Sequence, residues 1–172
     1  MRARCLPRLT LGLLLVAGAG GCGYTVASGA DERVWRRDIA TVAVPTFDTT
    51  SFRRYDEARL TQALVQAIET RTPYRVAPRG QADTVLTGVI ADAEVATVIR
   101  ERNNATPQEQ LYVVTVDFQW KDLRTGDVLV DRRGFEASSA YYPYFGESRE
   151  VGSYATAEQL AEAIVDELVA DW

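Results

Sequence analysis

LYVVTVDFQW, residues 111 to 120, is the stretch on which the fold turns. It is rich in Val, Thr, Tyr, Phe and Trp, the residues that suit a pleated, half-buried surface. The connection Asp122 to Asp127 follows it and contains Thr125-Gly126-Asp127, a tight turn with a glycine available for positive φ. Val128 to Ser139 then reads as a second strand. Upstream, Asp83 to Ile99 carries Val85, Leu86, Val89, Ile90, Val95, Val98 and Ile99 and reads as another. The polar segment Arg100 to Glu109, with Asn103-Asn104 and Pro107, predicts a hairpin loop between them. Strands joined this way form an antiparallel meander.

On either side of the meander the period changes. In Asp56 to Arg71, Leu60, Leu64, Ala67 and Ile68 fall at i, i+4, i+7 and i+8, one apolar helical stripe. Asp56 and Glu57 suit the positive start of the helix dipole and Arg71 its end. Thr72-Pro73 stops the helix, because a residue before proline avoids the helical region. A second helix is expected over Tyr154 to Ala170, with Thr156 and Gln159 as a capping box and Ala157, Leu160, Ala161, Ile164 and Leu168 as its stripe. Asp38 to Val44, apolar on both faces and ended by Pro45, predicts a buried strand, and Tyr74 to Ala77 a short one. Each helix is apolar on one side only, so each covers a sheet. The expectation is an α+β two-layer sandwich: a mostly antiparallel, mixed, four-stranded sheet with two helices on one face.

Composition narrows the function. Apolar residues at 47% and charged residues at 25% describe a globular chain. There is no histidine, which removes the commonest general base and the commonest zinc ligand together. GxSxG, GxxxxGK and GxGxxG are absent, and Lys121 is the sole lysine. The acidic balance, 19 Lys+Arg against 24 Asp+Glu, argues against nucleic acid. Neither an enzyme, a metal site nor a cofactor is expected. Asp92 and Glu94, two apart on a strand, are the remaining carboxylate pair for a hydrolase reading; a solvated strand face is the simpler account.

The chain begins with Arg2, Arg4 and Arg8, then an apolar run from Leu9 to Val16 and small residues to Gly21. This predicts a signal peptide over residues 1–21, too short for a membrane span. Ala19-Gly20-Gly21-Cys22 resembles the lipobox of bacterial lipoproteins, with Ala19 where Leu is usual. That resemblance implies a lipidated Cys22 as first mature residue. Gly23, in place of a retaining Asp, implies an outer-membrane destination. Removing the three arginines of residues 1–21 leaves 16 bases against 24 acids, a net charge of -8. Residues 22–37 read as a lipidated tether and 38–172 as one sandwich domain.

Two surfaces are candidates for binding. Tyr141, Tyr142, Tyr144 and Phe145 form an aromatic loop suited to a partner protein. Lys121, Arg124, Arg132 and Arg133 flank one hairpin and offer guanidinium groups to phosphate, although Asp122, Asp127 and Asp131 interleave.

Several segments combine, in order, into a family pattern. They are Cys22-Gly23-Tyr24, TVAVPTF at 41–47, the helix from Leu60-Thr61 to Thr70-Arg71-Thr72-Pro73-Tyr74, ADTVLTG at 82–88, WKDLRTG at 120–126 and LAEAIV at 160–165. Together they resemble the LPS-assembly lipoprotein LptE family across the mature chain. The resemblance implies a non-enzymatic lipoprotein of the cell outer membrane, facing the periplasm. Its implied partners are an LptD-type outer-membrane β-barrel, which it plugs and helps assemble, and lipopolysaccharide, whose delivery to the cell surface it assists. The hairpin Lys121 to Arg133 as the lipopolysaccharide contact follows from position and charge alone. Similar strand-proline-Phe openings occur in lipoproteins that activate peptidoglycan synthases or serve secretion complexes, and this is the alternative.

Overall fold

In the computed structural model, residues 35–50, 56–100 and 107–169 are described, without the side chain of Arg100. Contacts divide the chain into Met1–Glu32 and Arg33–Trp172. The first unit, with the signal segment and Cys22, lies outside the described residues; the architecture below is that of the second.

The elements run β1 (Thr41–Ala43), β2 (Asp48–Thr49), α1 (Asp56–Arg71), β3 (Arg75–Val76), β4 (Thr84–Arg100), β5 (Pro107–Asp122), β6 (Val128–Tyr141), a 3-10 turn (Pro143–Phe145) and α2 (Arg149–Asp166). They form one mixed sheet of order β3-β1-β4-β5-β6, with β2 also paired to β4. β1, β2 and β3 pair in parallel, β4, β5 and β6 antiparallel. The sheet therefore has six strands rather than the expected four. β3 falls within the short strand expected at Tyr74 to Ala77, while β2, two residues long, is too short to show any hydrophobic period. β1 and β2 share β4 as partner: Val42 faces Thr84 and Ala43 faces Val85, then Asp48 faces Val89. Pro45 sits in the gap, where a residue without an N–H cannot continue a ladder.

The central strand β5 sets the two faces. Tyr112, Val114, Val116, Phe118, Trp120 and Asp122 are buried, and the residues between them are half-exposed. That period of two means one face is covered and the other open. In β4 the inward residues are Leu86 and Ile90, then Ala93. The phase changes because Ala91 is an extra residue: Ile90 faces Val116 and Asp92 already faces Thr115. A second bulge lies in β6, where Gly134 at φ +63° donates its N–H to Asp117 at 2.7 Å.

Both helices join the core of the covered face. Leu60, Leu64, Ala67 and Ile68 of α1 are buried as their spacing predicts, with Leu160, Ala161, Ile164 and Val165 of α2. The start of α2 differs from the expectation. It begins at Arg149, five residues before Tyr154, with Ser148 at the N-cap. Thr156 is therefore inside the helix, wholly buried, and its hydroxyl donates to the Tyr112 carbonyl at 2.9 Å. Gly152 hides this start in the sequence because glycine reads as a helix breaker. It is there for close approach: a Cβ at this position would lie 2.7 Å from the Tyr141 ring.

Candidate functional site

The long strands give the domain two ends. At one, β1 begins, the β5–β6 turn lies and the chain enters through Trp35, whose ring stands edge-on to Tyr74 at 5.7 Å. Carboxylates lock this end. Asp83 accepts from the backbone N–H groups of Ala40 at 2.9 Å and Thr41 at 3.0 Å, and from the Thr41 hydroxyl at 3.0 Å. These donors hold its carboxyl below the usual range, the Ala40 N–H contributing most. Asp122 binds the Arg124 guanidinium at 2.8 Å and the Arg124 N–H at 2.7 Å. Its pKa falls to about 2, first through the guanidinium hydrogen bond. Arg124 also donates to the Asp38 carbonyl at 2.9 Å and so ties the turn to the entering segment.

The four basic residues expected to act together are thus separated. Arg124 is held in this lock. Lys121 lies on the open face opposite Val85 and Val128. Arg132 is bound to Glu167 after α2, Nε at 2.8 Å and Nη2 at 2.7 Å. Arg133 sits by the β6 bulge. Arg132 and Arg133 line a shallow groove on the sheet with Asp48, Asp117 and Asp131, so acids outnumber bases there.

The other end is where β4 and β6 finish. Tyr141 closes β6 and is buried, its hydroxyl donating to Gln110 at 2.8 Å. It was expected in the exposed aromatic loop; strand pairing with Gln110 turns it inward instead. Tyr142, Tyr144 and Phe145 do project, the last two 61% and 79% exposed. Phe145 meets Tyr142 and Tyr144 edge-on, with centroids 6.4 and 5.4 Å apart. The Tyr142 N–H donates to Glu147 at 2.8 Å and steadies the loop. Val98 and Ile99 at the end of β4, and Val151 and Tyr154 in the first turns of α2, are exposed beside them in the fold's layout. The sequence reading did not single these out as a surface. With the helix started at Arg149, Val151 and Tyr154 stand at i and i+3, away from the buried Thr156 and Leu160, which is the signal that could have found them.

Beneath this end lies a buried polar cluster. Asp56 accepts from the Tyr112 hydroxyl and, at 2.9 Å, from Ser153. Arg59 donates to Ser153 at 2.7 Å, stands 3.8 Å from Asp56 and lies 4.3 Å over the Tyr154 ring. Ser153 is 4% exposed, and its hydroxyl is engaged within the cluster. The cluster joins α1, β5 and α2, and a buried carboxylate with this many partners is tolerated. Asp92 and Glu94, the other carboxylate candidates, lie exposed opposite Thr115 and Val113. Among the described residues no group of three His, Cys, Asp or Glu side chains could hold a metal, and no helix is long and apolar enough to cross a membrane.

A family model described as LptE, lipopolysaccharide-assembly, matches residues 39–171. No curated protein matches the chain. Among solved structures, lipoprotein B of Nitrosomonas europaea is similar at 12% identity and a TM-score of 0.55, covering 77% of this chain and 83% of that one. The PelC dodecamer subunit of Paraburkholderia phytofirmans is similar at 17% identity and a TM-score of 0.53, covering 79% and 93%. At these identities the likeness is one of fold.

Proposed function

Because the chain belongs to the LptE lipopolysaccharide-assembly family, we propose that it is an outer-membrane lipoprotein that plugs an LptD-type β-barrel, helps it assemble and assists lipopolysaccharide delivery to the cell surface. The family match over residues 39–171 is the observation that carries this reading. Cys22, lipidated after removal of residues 1–21, anchors the protein on the periplasmic side through the tether of residues 22–37. Residues 38–172 do the binding, and they do so without chemistry of their own. A hydroxyl–carboxylate cluster locked under the helices is suited to holding a shape. Lipopolysaccharide phosphate meets the chain at the groove beside Arg132 and Arg133, weakly, since Asp48, Asp117 and Asp131 oppose it.

Purification of the intact protein from outer membranes tests the reading. Recovery of a large β-barrel in a stable complex is expected. Recovery of a peptidoglycan synthase with no barrel would overturn it in favour of an enzyme-activating lipoprotein. Cys22→Ser should release the protein from the membrane fraction, and unchanged retention would contradict the anchor.

A further inference from the structure

An open sheet must manage its edges, because an unpaired row of N–H and C=O groups is a template for another strand. Among the described residues the edges of this sheet are guarded unequally. β3 is two residues long, with Pro78 close behind it. β4 is open beyond its pairing with β2, and there its backbone is answered from nearby. The Thr50 hydroxyl donates to the Ala91 carbonyl at 2.8 Å, Asp92 accepts the Ala93 N–H at 2.8 Å, and the register slips again between Thr97 and Ile99. β6 is 14 residues long, and β5 is its strand neighbour on one side alone.

β6 itself divides at Gly134. Before the glycine lie Asp131, Arg132 and Arg133, and charge together with a bulge guards an edge. After it, Phe135 to Tyr141 pairs with Val116 to Gln110 one to one, without a slip. This stretch holds no proline, lysine or arginine, and Ala137, Ser138, Ser139 and Ala140 are small enough to leave the backbone open to approach.

We propose that β6 from Phe135 to Tyr141 is a strand-accepting edge, and that its occupant is an extended segment of another protein with a lysine or arginine opposite Glu136. Backbone geometry carries the first half. The antiparallel run β4–β5–β6 continues by one more strand, ~4.8 Å from β6, bonded to the outward N–H and C=O groups of alternate residues. Charge carries the second half. Asp92 pairs with Thr115 and Thr115 with Glu136, so this row of the open face ends at the edge on an exposed carboxylate. Opposite charges on neighbouring strands attract and like charges repel. At the other end of the stretch the row is Ala96, Leu111 and Ala140, so the incoming strand is apolar there. A second copy of this chain does not supply the base. Phe135 to Tyr141 contains none, and a register that brings Arg132 or Arg133 to Glu136 runs the pairing across the Gly134 bulge. The proposal goes beyond the function read above and does not depend on it.

Amide exchange on the intact protein in detergent tests the edge, with a synthetic peptide of alternating Thr and Val and one central lysine as probe. The peptide should slow exchange about tenfold at alternate residues of Phe135 to Tyr141, with Ala93 to Ile99 unchanged. Protection along β4 instead, or along neither strand, would overturn the edge. Glu136→Lys alters an exposed side chain. It should weaken the lysine peptide about fivefold and strengthen one with a central glutamate by a similar factor. Equal binding of both peptides by both proteins would reject the Glu136 pairing. The occupant is tested in intact cells with a photoreactive phenylalanine at Ala140. Mass spectrometry should place the adduct on an extended segment of another protein that carries a lysine or arginine, and Glu136→Lys should lower its yield about fivefold. An adduct to a second copy of this chain, or none, would overturn the occupant. None of these outcomes bears on whether a β-barrel co-purifies.

Discussion

The entry end of the sheet is closed upon itself, whereas the distal end is left unfinished. At the entry end carboxylates and a guanidinium are tied into the domain: Asp83 takes backbone N–H groups from β1, and Arg124 joins Asp122 to Asp38. At the distal end exposed aromatic rings pack on one another, with Phe145 between Tyr142 and Tyr144. Both ends sit on the same three strands and the same core. The difference teaches that satisfying polar groups finishes a surface, while exposed rings leave it available to a partner.

The comparison can be broken at its shared middle first. Leu64→Ala or Ile164→Ala removes a wholly buried side chain and should cost roughly 2–5 kcal/mol. Denaturant melts followed at both ends should shift together; an end that stays behind would mean the two do not share one core. Asp83→Ala should cost less, because it removes the acceptor of the Ala40 and Thr41 N–H groups at a site that water reaches. The loss should appear as faster amide exchange at the entry end, and equal exchange there would dismiss the lock.

Acid sharpens the contrast. The Asp122 pKa is about 2 in the folded protein, below the ~3.9 of an unfolded chain. Its stabilisation is therefore complete above about pH 4 and is lost as pH falls through about 2. Amide exchange at Leu123 and Gly126, whose N–H groups bind Asp83 and Asp122 carbonyls, should rise over that window in the wild type. Asp122→Asn should flatten the dependence; an unaltered profile would assign it elsewhere. The smallest effect on stability is expected from Tyr144→Ser with Phe145→Ser, within about 0.5 kcal/mol. A larger loss would mean these rings belong to the core and the distal end is finished after all.

The long elements were legible because each repeats a period many times. α1 runs from Asp56 to Arg71 as its stripe predicts, and β4, β5 and β6 occupy the expected segments with ends moved by a few residues. What failed was short or ambiguous. β2 has two residues, so no pattern exists to be read. The capping box at Thr156 and Gln159 matched by composition, while the helix had already begun before Gly152. Of the aromatic loop, Tyr142, Tyr144 and Phe145 are exposed and Tyr141 is buried, a distinction that depends on where β6 stops. The basic residues looked like one group because they are close in sequence; Arg124 is held by Asp122 beside it and by the distant Asp38, and Arg132 by the distant Glu167.

Sequence by itself determined the class of this protein: periodicity fixed the alternation of strands and amphipathic helices, and the order of short segments carried the family resemblance. It did so because those signals are local, set by neighbours within one turn or one strand. Tertiary structure alone decided which charges are spent on holding the fold, that Asp56, Tyr112 and Ser153 meet under the helices, and that Val98, Tyr144 and Tyr154 share one end. Those facts depend on strand register and on where each element starts, and a single bulge, such as the one at Ala91, changes which side chains face water.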